Sequence, residues 1–318
     1  MGNQGSSGTD TRNVETWIEQ GVIGDVHTVH VWTNRPVWPQ GIATPTGNFT
    51  VPEEMDWDLW LGTAPWRNYH PAYHPATWRG WVDFGTGALG DMGCHFIDVP
   101  FRALQLGYPT AVECSIGRVW TGFFEEAIYT DSYPPSSKIH IQFPARGKKP
   151  PVELIWYDGG ILPKRPPELL PDQEMADGDG GILFEGTKGK LMAGVFGRNP
   201  TLLPTRRMAE VTLPATDKPI VPGGWDGHQA QWVKACIKGY GSYTSSPFSQ
   251  AGPLTETVLM GNLAVRSFTY SETTARGGKR YPGRKQLLWD GKAMKITNFE
   301  PANQFVKRGY RGNWQLEV

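Results

Sequence analysis

The stretch "GTGALGDMGCHFID" (85–98) holds three side chains able to move a proton: Asp91, His95 and Asp98, spaced i, i+4 and i+7. On one continuous helix that spacing puts all three within about 60° of one another. A carboxylate one turn from a histidine can orient the imidazole and stabilise its charged form. The trio therefore reads as a general base with acidic partners, suited to proton transfer near neutral pH. Two other readings use the same residues. Asp91 can be a helix N-cap and His95 a satisfied interior histidine. His95 and a carboxylate can also share a metal ion, but no third or fourth ligand stands at a fixed spacing, so no metal is expected.

Gly85, Gly87 and Gly90 in the same stretch match G-x-G-x-x-G, the pattern that cradles a dinucleotide pyrophosphate. That fingerprint needs a buried strand before it, a helix after it and an acidic residue about 20 positions on. Glu113 lies at a suitable distance, and a helix follows. The preceding "WRGWVDF", however, has an Arg, an Asp and two Trp where a buried parallel strand needs a continuous aliphatic run. Carboxylates in the first turns of the helix would repel a pyrophosphate. The glycines are expected to turn the backbone tightly into a helix instead.

Upstream lies the aromatic block "WDLWLGTAPWRNYHPAYHPATWRGW" (57–81). Trp and Tyr rings suit the C–H faces of sugars, and Trp78 is a candidate substrate contact, although most such rings fill core. His70 and His74 are each followed by proline, which rules out a shared helix face for them. Arg79 can pair with Asp91 or hold a substrate hydroxyl; it can also be an ordinary surface arginine.

The elements that must position these residues can be read from periodicity. Val14, Trp17 and Ile18 give one apolar face to a helix over 9–21, and the β-branched alternation of 24–33 gives a strand. A short helix is expected at 53–62 and a helix over 88–107 kinked at Pro100. Strands are expected over 110–120, 138–145 and 152–159, with a hairpin over 181–196 around "GTKG" and a mobile loop over 162–180. Helices over 227–239 and 253–268 follow, the second with Pro253 near its first turn. Strands grouped in this way predict an α+β fold: an open, mostly antiparallel sheet with helices on one face.

Composition narrows the function classes. The chain has 318 residues, enough for a sizeable core, with a formal net charge of zero and no basic stripe, which argues against nucleic acid. Three scattered cysteines support neither a disulfide framework nor a zinc knuckle. No apolar run is long enough to span a membrane, and "MGNQGSSGTD" is not a signal peptide.

"WRGWVDFGTGALGDMGCHFID" resembles the Trp-Arg, glycine-run and Asp-x-x-x-His-x-x-Asp signature of the glucose-fructose oxidoreductase/inositol dehydrogenase/MocA-like family. The resemblance continues through "HTVHVWTNRP", "WDLWLGTAP", "FEGTKGKL", "PLTETVLMGNLAVR" and "YRGNWQL", nearly the whole chain. It implies a substrate-binding and oligomerisation domain like the C-terminal domain of glyceraldehyde-3-phosphate dehydrogenase, over 24–318. Residues 1–23 would be a remnant, the last helix, of a Rossmann domain. By the same resemblance His95 takes a hydroxyl proton, Asp91 orients His95 or relays the proton, and Asp98 binds substrate. Arg79, Asn34, Arg35 and Trp78 match positions near the pocket, and Asn3 and Gln4 match positions near the cofactor.

The implied activity is NAD- or NADP-dependent oxidation or reduction of a hydroxyl or keto group on a sugar or cyclitol. The family's own glycine fingerprint and Glu-Lys-Pro are missing. The expectation is thus a chain truncated before its cofactor domain, binding NAD(P) weakly and inactive alone, with Val14, Trp17 and Ile18 exposed. Met1 would be an internal methionine of a longer protein, or the gene would have lost its cofactor half. A non-catalytic carbohydrate-binding or scaffold module and an NAD-dependent glycoside-cleaving relative are the alternatives. The partners expected are a small carbohydrate and a second copy of the chain through the open sheet face, with no nucleic acid or membrane. The compartment, cytoplasmic or exported, is not readable.

Overall fold

The computed structural model describes residues 1–314, so the last two residues of "YRGNWQL" (315 and 316) lie outside the described residues. In chain order the elements are α1 (Thr9–Glu19), β1 (Val26–Thr33), α2 (Trp57–Leu61), α3 (Gly87–Phe96), α4 (Asp98–Leu104), β2 (Ala111–Ile116), β3 (Val119–Gly122), β4 (Glu125–Ala127), β5 (Ser137–Phe143) and β6 (Val152–Tyr157). There follow β7 (Gly180–Gly186), β8 (Gly189–Ala193), β9 (Thr201–Leu203), α5 (Arg207–Glu210), α6 (His228–Lys238), α7 (Phe248–Phe268), β10 (Glu272–Thr273), β11 (Lys279–Arg280), β12 (Leu287–Asp290) and β13 (Lys295–Ile296).

Nine strands form one sheet in the order β13-β12-β2-β5-β6-β1-β7-β8-β9. Its neighbours are antiparallel except β1 and β6, which run parallel with Val29 opposite Leu154 and Val31 opposite Trp156. The period of two along each strand sends Val29, Val31, Ile139, Ile141, Leu154 and Trp156 to one face, where all are buried. Leu89, Met92 and Phe96 of α3 and Leu254 and Val258 of α7 pack onto that face in the same core. Each such side chain contributes about 1.5–3 kcal/mol of burial free energy. The fold is the expected α+β layer.

The opposite face is more polar. His30 Nδ1 lies 3.0 Å from the Tyr157 hydroxyl, His140 Nδ1 lies 2.9 Å from Glu153, and Lys190 lies 3.2 Å from Glu185. A smaller apolar cluster there, including Trp32, Tyr157 and Leu183, is covered by Leu169 from the 162–180 loop.

Four local expectations need correction. Val14, Trp17 and Ile18 are not exposed: all three are buried in the main core, and Trp17 Nε1 donates to the Pro214 carbonyl at 3.3 Å. The helix over 88–107 is two helices separated at Ile97, because Pro100 has no N–H to give the Phe96 carbonyl. The strand over 110–120 ends at Ile116, and β3 leaves the sheet to pair with β4. The last long helix starts at Phe248, with Ala251 donating to the Pro247 carbonyl at 2.8 Å, so Pro253 lies inside it. No helix among the described residues is long and apolar enough to cross a membrane.

Candidate active site

Residues 81–86 lead into α3 as a turn, not as a strand. The Gly85 and Gly90 amides already donate, to the Trp81 carbonyl at 2.8 Å and the Thr86 carbonyl at 3.1 Å. A Cβ on Gly85 would lie 2.5 Å from the Arg79 carbonyl oxygen, and one on Gly90 would lie 1.5 Å from Thr86 Oγ1. Gly87 has φ +65° and sits 2.9 Å, measured from an added Cβ, from the Tyr133 ring. These glycines are glycine because protein packs against them. The run does not fit a pyrophosphate, and no nucleotide is assigned to it.

What the turn does is seat Arg79 against α3. Arg79 Nε donates to Asp91 Oδ1 at 2.7 Å, and its guanidinium lies over Trp78 at 4.7 Å and Trp38 at 5.8 Å. Asp91 is therefore engaged by Arg79 and makes no hydrogen bond to His95. One turn on, the His95 ring stands edge-on to Phe196, with centroids 5.0 Å apart. Neither ring nitrogen has a partner among the described residues, and Nδ1 is buried. Burial holds the His95 pKa below its ordinary 6.5; the charges of Asp91 and Asp98 oppose the shift without cancelling it. A neutral imidazole with no protein partner is a proton acceptor.

Asp98 does not share this surface. It is buried at the start of α4, both its oxygens accept from Arg102 Nε at 3.1 Å, and Gln250 Nε2 donates to it at 3.3 Å. Arg102 continues to the Ser245 carbonyl at 2.5 Å, so this pair ties α4 to the segment before α7. The same-face placement of Asp98 with Asp91 and His95 fails at Ile97, where the helix breaks. Cys94 is no nucleophile: burial, with help from Asp91 and Asp98, pushes its thiol up to about 11.

Asn34 Nδ2 donates to the Gly178 carbonyl at 2.8 Å, and Arg35 pairs with Asp179 at 3.5 Å. Both residues tie the end of β1 to the turn before β7, and among the described residues neither bonds to His95, Asp91 or Arg79. Asn3 is buried, with its Oδ1 accepting from Ser246 Oγ at 2.6 Å, and Gln4 begins a 3-10 turn over Gln4–Ser7. No group of three or more potential metal-ligating side chains comes together among the described residues.

Three residues join the site that sequence spacing did not single out. Phe196 holds φ +61°, strained for a side-chain-bearing residue, and braces His95. Trp225 lies 5.5 Å from Phe196, and the Arg198 guanidinium covers both rings at 5.4 and 4.9 Å. The available signal was Phe196 standing between two glycines in "AGVFGRNP". A cavity of about 830 Å³ lies elsewhere, between α7, residues 82–86 and the 304–311 tail; neither His95 nor Asp91 lines it.

With this geometry in place, residues 7–112 match the family model described as oxidoreductase family, C-terminal alpha/beta domain, of the Gfo/Idh/MocA type. Over that stretch, a third of the chain, the sequence is similar to the C-terminal alpha/beta domain of that oxidoreductase family. A search of curated protein sequences finds no match. Among solved structures, an oxidoreductase from Sinorhizobium meliloti is similar at 12% identity and TM-score 0.40, covering 83% of this chain and 61% of its own. The WlbA dehydrogenase from Bordetella pertussis, in complex with NADH and UDP-GlcNAcA, is similar at 13% identity and TM-score 0.41, with coverages of 83% and 61%. An aldose-aldose oxidoreductase from Caulobacter crescentus complexed with glycerol gives 12%, 0.39, 83% and 60%. The chain spans about three fifths of each of these structures.

Proposed function

We propose that this chain is the substrate-binding, acid/base part of an NAD(P)-dependent oxidoreductase acting on a hydroxyl or keto group of a sugar or cyclitol. The observation that carries the reading is His95: a neutral imidazole without a partner among the described residues, one turn from an Arg79–Asp91 pair laid against two tryptophans. A hydroxyl placed at His95 gives up its proton to the ring. Arg79, fixed by Asp91, offers its outer N–H groups to neighbouring hydroxyls, and Trp78 and Trp38 supply flat apolar faces for a ring. Asp91 acts on His95 through its field and on the substrate through Arg79. Residues 85–90 give NAD(P) no cradle, so the chemistry of this chain stops at the hydroxyl proton. The cofactor is held by a nucleotide-binding domain of which residues 1–23 supply the last helix. The polar outer face of the sheet pairs two copies, which light scattering of the purified chain would show as a dimer.

The test uses the chain itself. Monosaccharides and cyclitols are titrated while the His95 Cε1–H resonance is followed, and NAD⁺ is titrated separately. The expected result is saturable movement of the His95 signal by at least one polyol and no saturable NAD⁺ binding. Sugar binding that leaves His95 unmoved would sink the acid/base assignment and favour a non-catalytic carbohydrate module. Joined to its nucleotide-binding domain, the His95→Ala variant is expected to lose about 10²–10⁴-fold in turnover.

A further inference from the structure

We propose that the 830 Å³ cavity beside α7 is a second binding site, for a small organic anion. Its carboxylate or phosphate head meets Arg266, and its ring-sized body lies among Phe84, Leu259 and Phe305. The volume is that of a small-molecule pocket, a few hundred to about 1,000 Å³. The site is independent of the His95 reading, because no group assigned there to proton transfer lines it.

The sign of the ligand follows from the charges on the wall, where Arg266, Lys307, Arg308 and Arg311 outnumber Asp83 and Glu256. Asp83 on the wall is bonded by Arg67, and Glu256 Oε1 accepts from Trp289 Nε1 at 2.7 Å. Arg266 is half-buried and, among the described residues, no carboxylate bonds it; its guanidinium lies flat over Phe305 at 4.3 Å. Burial depresses its pKa, and the charge of Asp83 opposes the shift without cancelling it.

A second, separate observation points into the same space. Tyr133 is only 5% exposed and lines the cavity, yet its hydroxyl has no hydrogen-bond partner among the described residues. The charges of Arg266, Arg308 and Asp83 all act on that hydroxyl, so it sits at the cationic end. With its pKa pushed up to about 12 by burial, it is a hydrogen-bond donor at any physiological pH. A hydroxyl and a half-buried cation that line the cavity, and that no described acceptor or carboxylate engages, are free to donate to a ligand. One anionic group would satisfy both.

The roof is latched rather than loose. Arg308 donates to the Asp83 carbonyl, and Arg311 donates at 3.0 Å to the carbonyls of Ala64 and Gly62. Those bonds hold the 304–311 tail over the cavity.

Phenyl phosphate, benzoate and inorganic phosphate are titrated calorimetrically into the full chain, with Arg266→Gln and Tyr133→Phe variants checked for folding by circular dichroism. Saturable binding of phenyl phosphate or benzoate, weakened about tenfold or more by Arg266→Gln and several-fold by Tyr133→Phe, supports the site. The proposal is overturned if neither organic anion saturates below about 10 mM, or if folded Arg266→Gln binds as tightly as wild type. It is also overturned if inorganic phosphate binds as tightly as phenyl phosphate, since the apolar wall would then contribute nothing. If Arg266→Gln does not fold, unchanged binding by Tyr133→Phe decides against it.

Discussion

On the His95 side of α3, Arg79 is bound to Asp91 and Arg198 lies over Phe196 and Trp225, while beyond the break at Ile97 Arg102 is bound to Asp98. On the cavity side Asp83 is bonded by Arg67 and Glu256 by the neutral indole of Trp289, and among the described residues no carboxylate bonds Arg266. Both regions share the turn at Gly85 and Thr86, and both are walled by aromatic rings. They differ in the group left without a partner. On one side it is a neutral histidine, which can take a proton but bring no charge. On the other it is a guanidinium with a neutral phenol beside it, which can hold an anion but take no proton at neutral pH. Unpartnered groups, more than the presence of acids and bases, separate a site for chemistry from a site for binding.

The largest expected effect strikes both regions together. Gly85→Ala drives a methyl group into the Arg79 backbone, 2.5 Å from its carbonyl oxygen and 2.6 Å from its Cα. No side chain there can rotate aside. A loss of about 3–4 kcal/mol or outright misfolding is expected in urea denaturation. A loss below about 1 kcal/mol would show that the two regions are not held by a common backbone contact.

Next comes a change in α4, beyond the break at Ile97 and away from the cavity. Asp98→Ala leaves Arg102 buried with only the Ser245 carbonyl for a partner, and about 3 kcal/mol of stability should go. The cavity side should keep its phenyl phosphate affinity. A parallel loss there would mean that the regions are coupled through α4 and α7, and the comparison would fail.

The contrast between these regions was only half legible in the sequence. Asp91, His95 and Arg79 stand within 17 positions of each other, and helical spacing found them. The alternating strands were equally clear, because Val29 and Val31 or Ile139 and Ile141 declare a buried face by period alone. Contacts between distant segments were not. Arg266 and Arg308 meet only because the tail folds back over α7, and Phe196 reaches His95 across a hundred residues of sheet. The burial of Val14, Trp17 and Ile18 was missed for the same reason: their neighbours come from segments such as α4 and the chain around Pro214. The break at Ile97 was visible as Pro100, but which side of it Asp98 would join depended on Arg102 and Gln250.

The smallest effect is the sharpest probe of the His95 side. Proton NMR titration should place the His95 pKa below 6.5, and Asp91→Asn should lower it further, since the Asp91 charge is the larger of the two that oppose the depression. The stability linkage has a definite sign. A histidine whose pKa is lower folded than unfolded contributes stability above pH 6.5, and that contribution is lost as pH falls through 6.5 toward the folded value. His95→Gln should therefore flatten that part of the stability–pH curve, while Tyr133→Phe, on the cavity side, should leave it unchanged. A pKa raised above 6.5 would mean that His95 has a carboxylate partner in solution. It would then be charged at neutral pH and unable to accept the proton assigned to it, leaving α3 with cations on both sides.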